Sequence, residues 1–372
     1  MWTVLLLLVG VAVAASRVPS PPDATFVLPP RPASAAAPDG PPIHHEIELP
    51  TPTPSAHASS IAMMPDGSLR IAWFGGAREG AGDVGIWMAE VSPEGRVGEH
   101  WLALARKDLE ARLSRVIRII GNPVVWCDPR GVLRLWVVSV SYGGWSGSSV
   151  NALESRDGGR SWENPRRLVV SPLFNLSTLV RAQPVALSDG SIGLPAYHEL
   201  ARKWGLWIRL DESGHMYALE RIMPATGSWL QPSVAPLSST RAIALLRCAV
   251  PELAAVGRAS STDAGAAWSA EGTLPIPNPD SGLALLALQD GSLLLAANPS
   301  TSNRAKLQLF RSRDNGETWV PSRVVAEAPQ GEFSYPCLVQ GSDGLVHLSF
   351  TRQRKGISLV TFNAQWLDGA LP

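Results

Sequence analysis

Apolar residues in this chain come in short runs, and each run is cut by a tight turn before another begins. The turns read PDGS from Pro65, DPRG from Asp128, SDGS from Ser188, LSST from Leu237, QDGS from Gln289 and SDGL from Ser342. Each unit is an apolar strand, a turn and a second strand, repeated six times at intervals of about 50 to 64 residues. A period near 50 with room for four short strands is the pattern of propeller blades. One helix is predicted between these units, over Lys107–Ile120. There Leu109, Leu113, Val116, Ile117 and Ile120 share a face, with Arg112, Arg115 and Arg118 on the solvated side.

A second repeat runs out of phase with the first. SRDGGRSW at Ser155, STDAGAAW at Ser261 and SRDNGETW at Ser312 share the spelling Ser-x-Asp-x-Gly-x-x-Trp. Asp157 and Asp263 are 106 residues apart and Asp263 and Asp314 are 51 apart, so a worn copy belongs midway in the first gap, where DESG begins at Asp211. The motif has a local logic. Aspartate caps backbone N–H groups of its own turn, glycine takes the left-handed position, and tryptophan packs beneath the hairpin. These aspartates are therefore expected to be structural. The predicted fold is all-β, a six-bladed β-propeller over 44–372. HHEIELP at 44–50 would supply the outer strand that closes the last blade beside GISLVTF at 356–362.

Topology sorts the remaining residues. In an up-and-down blade the turns after the first and third strands share one face. The loops after the second strand, and the lead-ins to each first strand, share the other. The glycine-rich WFGGAREGAGDVGIW, Trp73 to Trp87, is such a second-strand loop. Its Arg78, Glu79 and Asp83 should lie opposite the Ser-x-Asp turns, near the axis, where propellers place ligand sites.

Composition narrows the function classes. The 372 residues are 45% hydrophobic and 17% charged, with zero formal net charge, so no global field recruits nucleic acid or anionic membrane. Cys127, Cys248 and Cys337 lie far apart, without metal-ligand spacing, and read as small buried hydrophobes. No metal or organic cofactor is implied. The run Val4 to Ala15, followed by small residues, reads over 1–16 as a secretory signal peptide or a retained N-terminal anchor. Residues 17–43 are rich in proline and alanine and read as an extended linker. An exported monomer, periplasmic or secreted and either free or anchored by this segment, is the expectation.

Together these features resemble the sialidase (neuraminidase) superfamily, in particular bacterial sialidase-like proteins with Asp-box (BNR) repeats, over about residues 44–365. The resemblance implies a retaining glycosidase with a tyrosine nucleophile, an aspartate acid/base and arginines that clamp a sugar carboxylate bidentately. By position it implies Arg304 and Arg247 for the clamp, Tyr335 in GEFSYPCLVQ for the nucleophile, and Asp83 with Arg78 before it for the acid/base. Two positions depart from the family pattern. His57 in SAHASSI stands near the place of the first arginine, and Gln231 in SWLQPSV stands where a glutamate would activate the tyrosine. Glutamine cannot take a proton from a phenol whose ordinary pKa is about 10, so Glu332 or His57 is the candidate base. Further rim candidates are Asn122, Gln183, Tyr142 to Trp145, His198, Glu199, Asn278 and Asp280. The readings are a sialidase-like hydrolase acting on a glycan with an acidic sugar, a carbohydrate-binding propeller without hydrolysis, or elimination on a uronic-acid polymer with His57 as base.

Overall fold

A computed structural model describes residues 24–30, 40–171, 175–223 and 227–369. Six antiparallel sheets follow one another along the chain, and their first strands touch in a closed ring. Blade 1 comprises Ser55–Met63, Leu69–Gly76, Gly85–Val91 and Val97–Leu104. Blade 2 comprises Ile119–Cys127, Leu133–Val140, Ser148–Ser155 and Glu163–Arg167. In blade 3 the first strand is split into Leu179–Val180 and Val185–Ala186, followed by Ile192–His198, Trp204–Leu210 and Met216–Ile222. Blade 4 is Trp229–Pro236, Ala242–Cys248, Ala255–Ser261 and Ser269–Pro277. Blade 5 is Ala284–Ala287, Leu293–Ala297, Lys306–Ser312 and Val320–Glu327. Blade 6 takes Phe333–Gln340, Val346–Arg352 and Gly356–Phe362 from the end of the chain and His44–Leu49 from its beginning, with His44 opposite Phe362 and Leu49 opposite Ile357.

Burial explains the sequence pattern. The second strand of blade 2 is buried at every position, because both its faces meet neighbouring sheets, and it accordingly reads as an apolar run broken only by Arg134 and Ser139. Outer strands are largely exposed, as Val97–Leu104 is, with only Leu104 buried. The Ser-x-Asp turns are built as their spelling implies. Asp157 Oδ1 accepts from the backbone N–H groups of Arg160 and Ser161 at 3.0 and 2.9 Å, and Ser155 Oγ accepts from Gly159 N–H at 2.8 Å. Gly158 and Gly159 take φ of 72° and 89°, where a side chain would be strained. Asp263 and Asp314 repeat the arrangement, and the worn copy Asp211 still caps His215 N–H. Partial burial pushes the Asp157 carboxyl up, but hydrogen bonds from Ser161, Ser155 and Arg160 outweigh it and hold the group at about 2.

The structure changes three local expectations. The helix is Arg106–Leu113, not 107–120. It stops because Ser114 turns left-handed at φ 48°, and the β-branched residues that follow join blade 2 from Ile119 onward. Leu109, Ile117 and Ile120 are buried and Arg112 and Arg118 exposed, but Val116 is exposed and Arg115 reaches Ser141 Oγ at 3.1 Å, so the two faces do not continue as one helix past Ser114. Within the proline-rich stretch, residues 24–30 lie against the propeller. Phe26 is buried, pairs with Leu187 and sets its ring edge-on to Trp207. Residues 1–23 and 31–39, which hold the expected signal or anchor and most of the expected linker, lie outside the described residues. The three cysteines are free thiols; burial and the neighbouring Asp128 push Cys127 up to about 11.

Candidate active site

The first strands of blades 1, 2, 4 and 6 carry the same defect. Their ladders slip between His57 and Ser60, Gly121 and Val124, Leu230 and Ser233, and Ser334 and Cys337. At each slip one residue takes a positive φ: Ala58 at 54°, Asn122 at 46°, Gln231 at 51° and Tyr335 at 54°. In three of the four the next residue is proline (Pro123, Pro232, Pro336). Proline has no N–H to give the ladder, so a bulge is where a sheet accepts it. The left-handed conformation is costly for a side chain and concentrates at functional sites. Here it brings Asn122, Gln231 and Tyr335 into one group on the face opposite the Asp-boxes.

These residues belong to one polar chain that crosses five blades, 2 to 6. Asn122 Nδ2 and Gln231 Nε2 both donate to Tyr197 Oη, at 3.4 and 3.3 Å. Arg247 Nη1 donates to Gln231 Oε1 at 3.3 Å and to Tyr335 Oη at 3.4 Å. Arg247 Nε meets Asp280 Oδ1 at 2.5 Å. Arg304 donates to the Asp280 carbonyl at 2.8 Å and to Glu332 Oε1 at 3.4 Å, with its guanidinium 5.7 Å from the Tyr335 ring centre. Burial alone would raise the Tyr335 phenol, but the Arg247 and Arg304 charges outweigh it and leave the group below its ordinary value. Tyr197 is raised by burial and by Glu199, so it stays a neutral hydrogen-bonding partner. The arrangement presents guanidinium donors beside an ionisable phenol, which suits binding an anion next to a nucleophile.

The profile of the BNR repeat-like domain family matches residues 67–348. The chain belongs to that family. Among solved structures, a Hadza microbial sialidase superposes with a TM-score of 0.72 at 16% identity, over 85% of this chain and 67% of that one. The leech intramolecular trans-sialidase gives 0.69 at 12%, over 85% and 69%. The α-L-arabinofuranosidase of Fusarium graminearum gives 0.61 at 13%, over 86% and 97%. No curated protein sequence matches. This BNR repeat-like chain therefore has the six-bladed propeller fold seen in sialidases.

Within that fold the site candidates fare unequally. Arg247, Arg304, Tyr335, Gln231 and Glu332 come together. His57 lies beneath them, 2% exposed, edge-on to Tyr335 at 4.7 Å and to Phe74 at 5.5 Å. Burial first, and then Arg354, Arg304 and Arg181, drive its imidazole well below the ordinary value, so it is neutral and offers no charge to a carboxylate. Asp83 is exposed, and its Oδ2 accepts from Ala77 N–H at 2.9 Å, closing the mouth of its own loop. Arg78 is exposed and makes no side-chain hydrogen bond or ion pair among the described residues. Its neighbour Glu79 reaches the cluster instead, through Arg354 at 2.9 Å.

Three participants escaped sequence reasoning. Arg354, on the second-strand loop of blade 6, clasps Glu332 at 2.8 Å and Glu79. Tyr197 sits one residue before the noticed His198, and Arg181 is two residues before the noticed Gln183. The usable signal for Arg354 was repeat position, since its loop corresponds to the one holding Arg78 in blade 1. Among the weaker candidates, Gln183 bridges blades 1, 2 and 6 through Ser60, Val125 and Cys337. Asn278 closes a turn on Ser281. His198 stacks on Trp204 at 4.2 Å and Tyr142 is 73% exposed. Glu199 is raised by burial, which outweighs the pull of Lys203 and Arg247. A separate cleft of about 650 Å³ opens on the Asp-box side between blades 6 and 1, lined by Met63, Asp66, Glu94, Asp343 and His347 among others. Its acids and lack of arginine make it a poor anion site.

Proposed function

We propose that this protein is an exported sialidase-like glycoside hydrolase acting on a glycan that carries an acidic sugar. The observation that carries the reading is Arg247 touching the Tyr335 hydroxyl while Arg304 stands over the same ring. Arg247, Arg304 and Arg354 would receive the sugar carboxylate, the first two exchanging contacts with Asp280 for contacts with ligand. Tyr335 would attack the anomeric carbon, and Asp83, released from Ala77, would protonate the leaving oxygen. A covalent glycosyl–tyrosine intermediate then hydrolyses with retention. Similarity in fold to sialidases supports the reaction class, not the sugar.

One observation favours a second reading, a glycan-binding propeller without turnover. Gln231 occupies the place beside Arg247 where a carboxylate would serve as base. Chromogenic acidic glycosides decide between the two. Hydrolysis that falls on Asp83→Asn and on Tyr335→Phe supports the enzyme. Retained binding of acidic glycans, with no turnover by the wild-type protein, supports the module.

A further inference from the structure

Arg181 lies in the break of blade 3's first strand and is 4% exposed. Its side chain reaches blade 6. Nη2 donates to the carbonyl oxygens of Tyr335 and Pro336, and its guanidinium carbon is 5.1 Å from the Tyr335 ring centre. It differs from the other arginines here in one respect. Arg247 has Asp280, Arg304 has Glu332, and Arg354 has Glu332 and Glu79. Arg181 has no carboxylate partner among the described residues, and its Nε is buried without a hydrogen bond. A buried cation without a counterion is costly, and any group that can become an anion beside it is favoured to do so.

Every element around Tyr335 bears on that choice. Blade 1 contributes neutral His57 and Glu79, blade 3 Arg181 and Tyr197, and blade 4 Arg247. Arg304 comes from blade 5, Asp280 from the loop before it, and Glu332, Arg354 and Cys337 from around blade 6's own first strand. Apart from Arg181, each cation in the set has an acid to answer it.

We infer that Arg181 is a positioning residue that holds the Tyr335 bulge from behind and adds, to the Arg247 and Arg304 charges, an uncompensated one that stabilises its phenolate. The phenol proton passes to solvent or to a bound base, and the phenolate forms beside a cation already in place. The carboxylate missing at Gln231 is then not required. This rests on the reading of Tyr335 as the reactive group.

Ultraviolet titration of tyrosinate tests it without any substrate, and the chain has only four tyrosines to resolve. The wild-type protein should show one tyrosine ionising below the ordinary range, absent in Tyr335→Phe. In Arg181→Met that ionisation should move up by about one unit or more, a tenfold shift in the equilibrium. Arg181→Lys keeps the charge and should keep the ionisation low while losing the two-carbonyl contact. The inference is overturned if the wild type shows no low-titrating tyrosine, if a folded Arg181→Met titrates as the wild type does, or if Arg181→Lys titrates at or above the ordinary value. Should Arg181→Met fail to fold, the wild-type and Arg181→Lys titrations still decide. Because the readout needs no glycan, its failure leaves the glycan-binding reading standing. Absent turnover likewise leaves this inference untouched.

Discussion

On one face of the propeller Asp157 commits its carboxylate to its own turn, to partners within four residues of it. On the other face Asp280 gives its carboxylate to Arg247, 33 residues away, and its carbonyl to Arg304. The first aspartate is closed to outside ligands because local donors already satisfy it. The second is half exposed and holds two arginines that a ligand anion could take over. The same side chain is a structural staple where its partners are sequence neighbours, and part of a receptive site where they come from other blades.

The comparison breaks most sharply through Tyr335. Tyr335→Phe should lower turnover of an acidic glycoside by about a hundredfold to ten-thousandfold, the range of a lost reacting group, with the circular dichroism spectrum unchanged. Arg247→Met should come next. Losing a charged hydrogen bond costs about 2 kcal/mol, or roughly thirtyfold in affinity for an acidic monosaccharide by calorimetry. Neutral sugars should bind no worse. Asp157→Ala, on the other face, should do the reverse. It removes a turn cap, costs about 1–2 kcal/mol and lowers the melting temperature by roughly 2–4 °C, with ligand affinity unchanged. If Asp157→Ala changed affinity more than Arg247→Met, the division between the faces would be wrong.

The smallest effect is pH dependence. Asp157 and Asp314 are held at about 2, against 3.8 ordinarily, by the hydrogen bonds of their turns. A depressed carboxyl stabilises the fold fully above its unfolded value and loses that contribution as pH falls through the folded one. Melting temperature should therefore drop between about pH 4 and pH 2, and the drop should be shallower in the Asp157→Ala variant. A parallel shift with no change of slope would show that the turn's charge is irrelevant.

The same division explains what could be read in advance. Six blades, their phase and the closing strand were legible because each turn spells its own geometry within eight residues. Arg247, Arg304 and Tyr335 were placed by repeat position joined to family resemblance. Arg354 and Arg181 were not, since nothing local to either residue states that it will face Tyr335 from across the axis. The helix was overdrawn because apolar spacing over 107–120 fits a helix, while Ser114 and the β-branched run after it favour a turn and a strand. Asp83 accepts from Ala77 N–H within its own loop, a capping contact that its sequence neighbours do not announce.

The pairing of His44–Leu49 with Gly356–Phe362 joins parts of the chain more than 300 positions apart; nearby, Asn363 Oδ1 accepts from Ile43 N–H across 320. The ring is thus sealed by the earliest and the latest of the described blade strands. During synthesis the early strand must wait, unpaired, until blade 6 emerges, and the entropy of closing so large a loop is met only in that final step. Folding should therefore end in a slow sealing phase. A circular permutant that places His44–Leu49 directly after Phe362 should make that step a local hairpin and speed it.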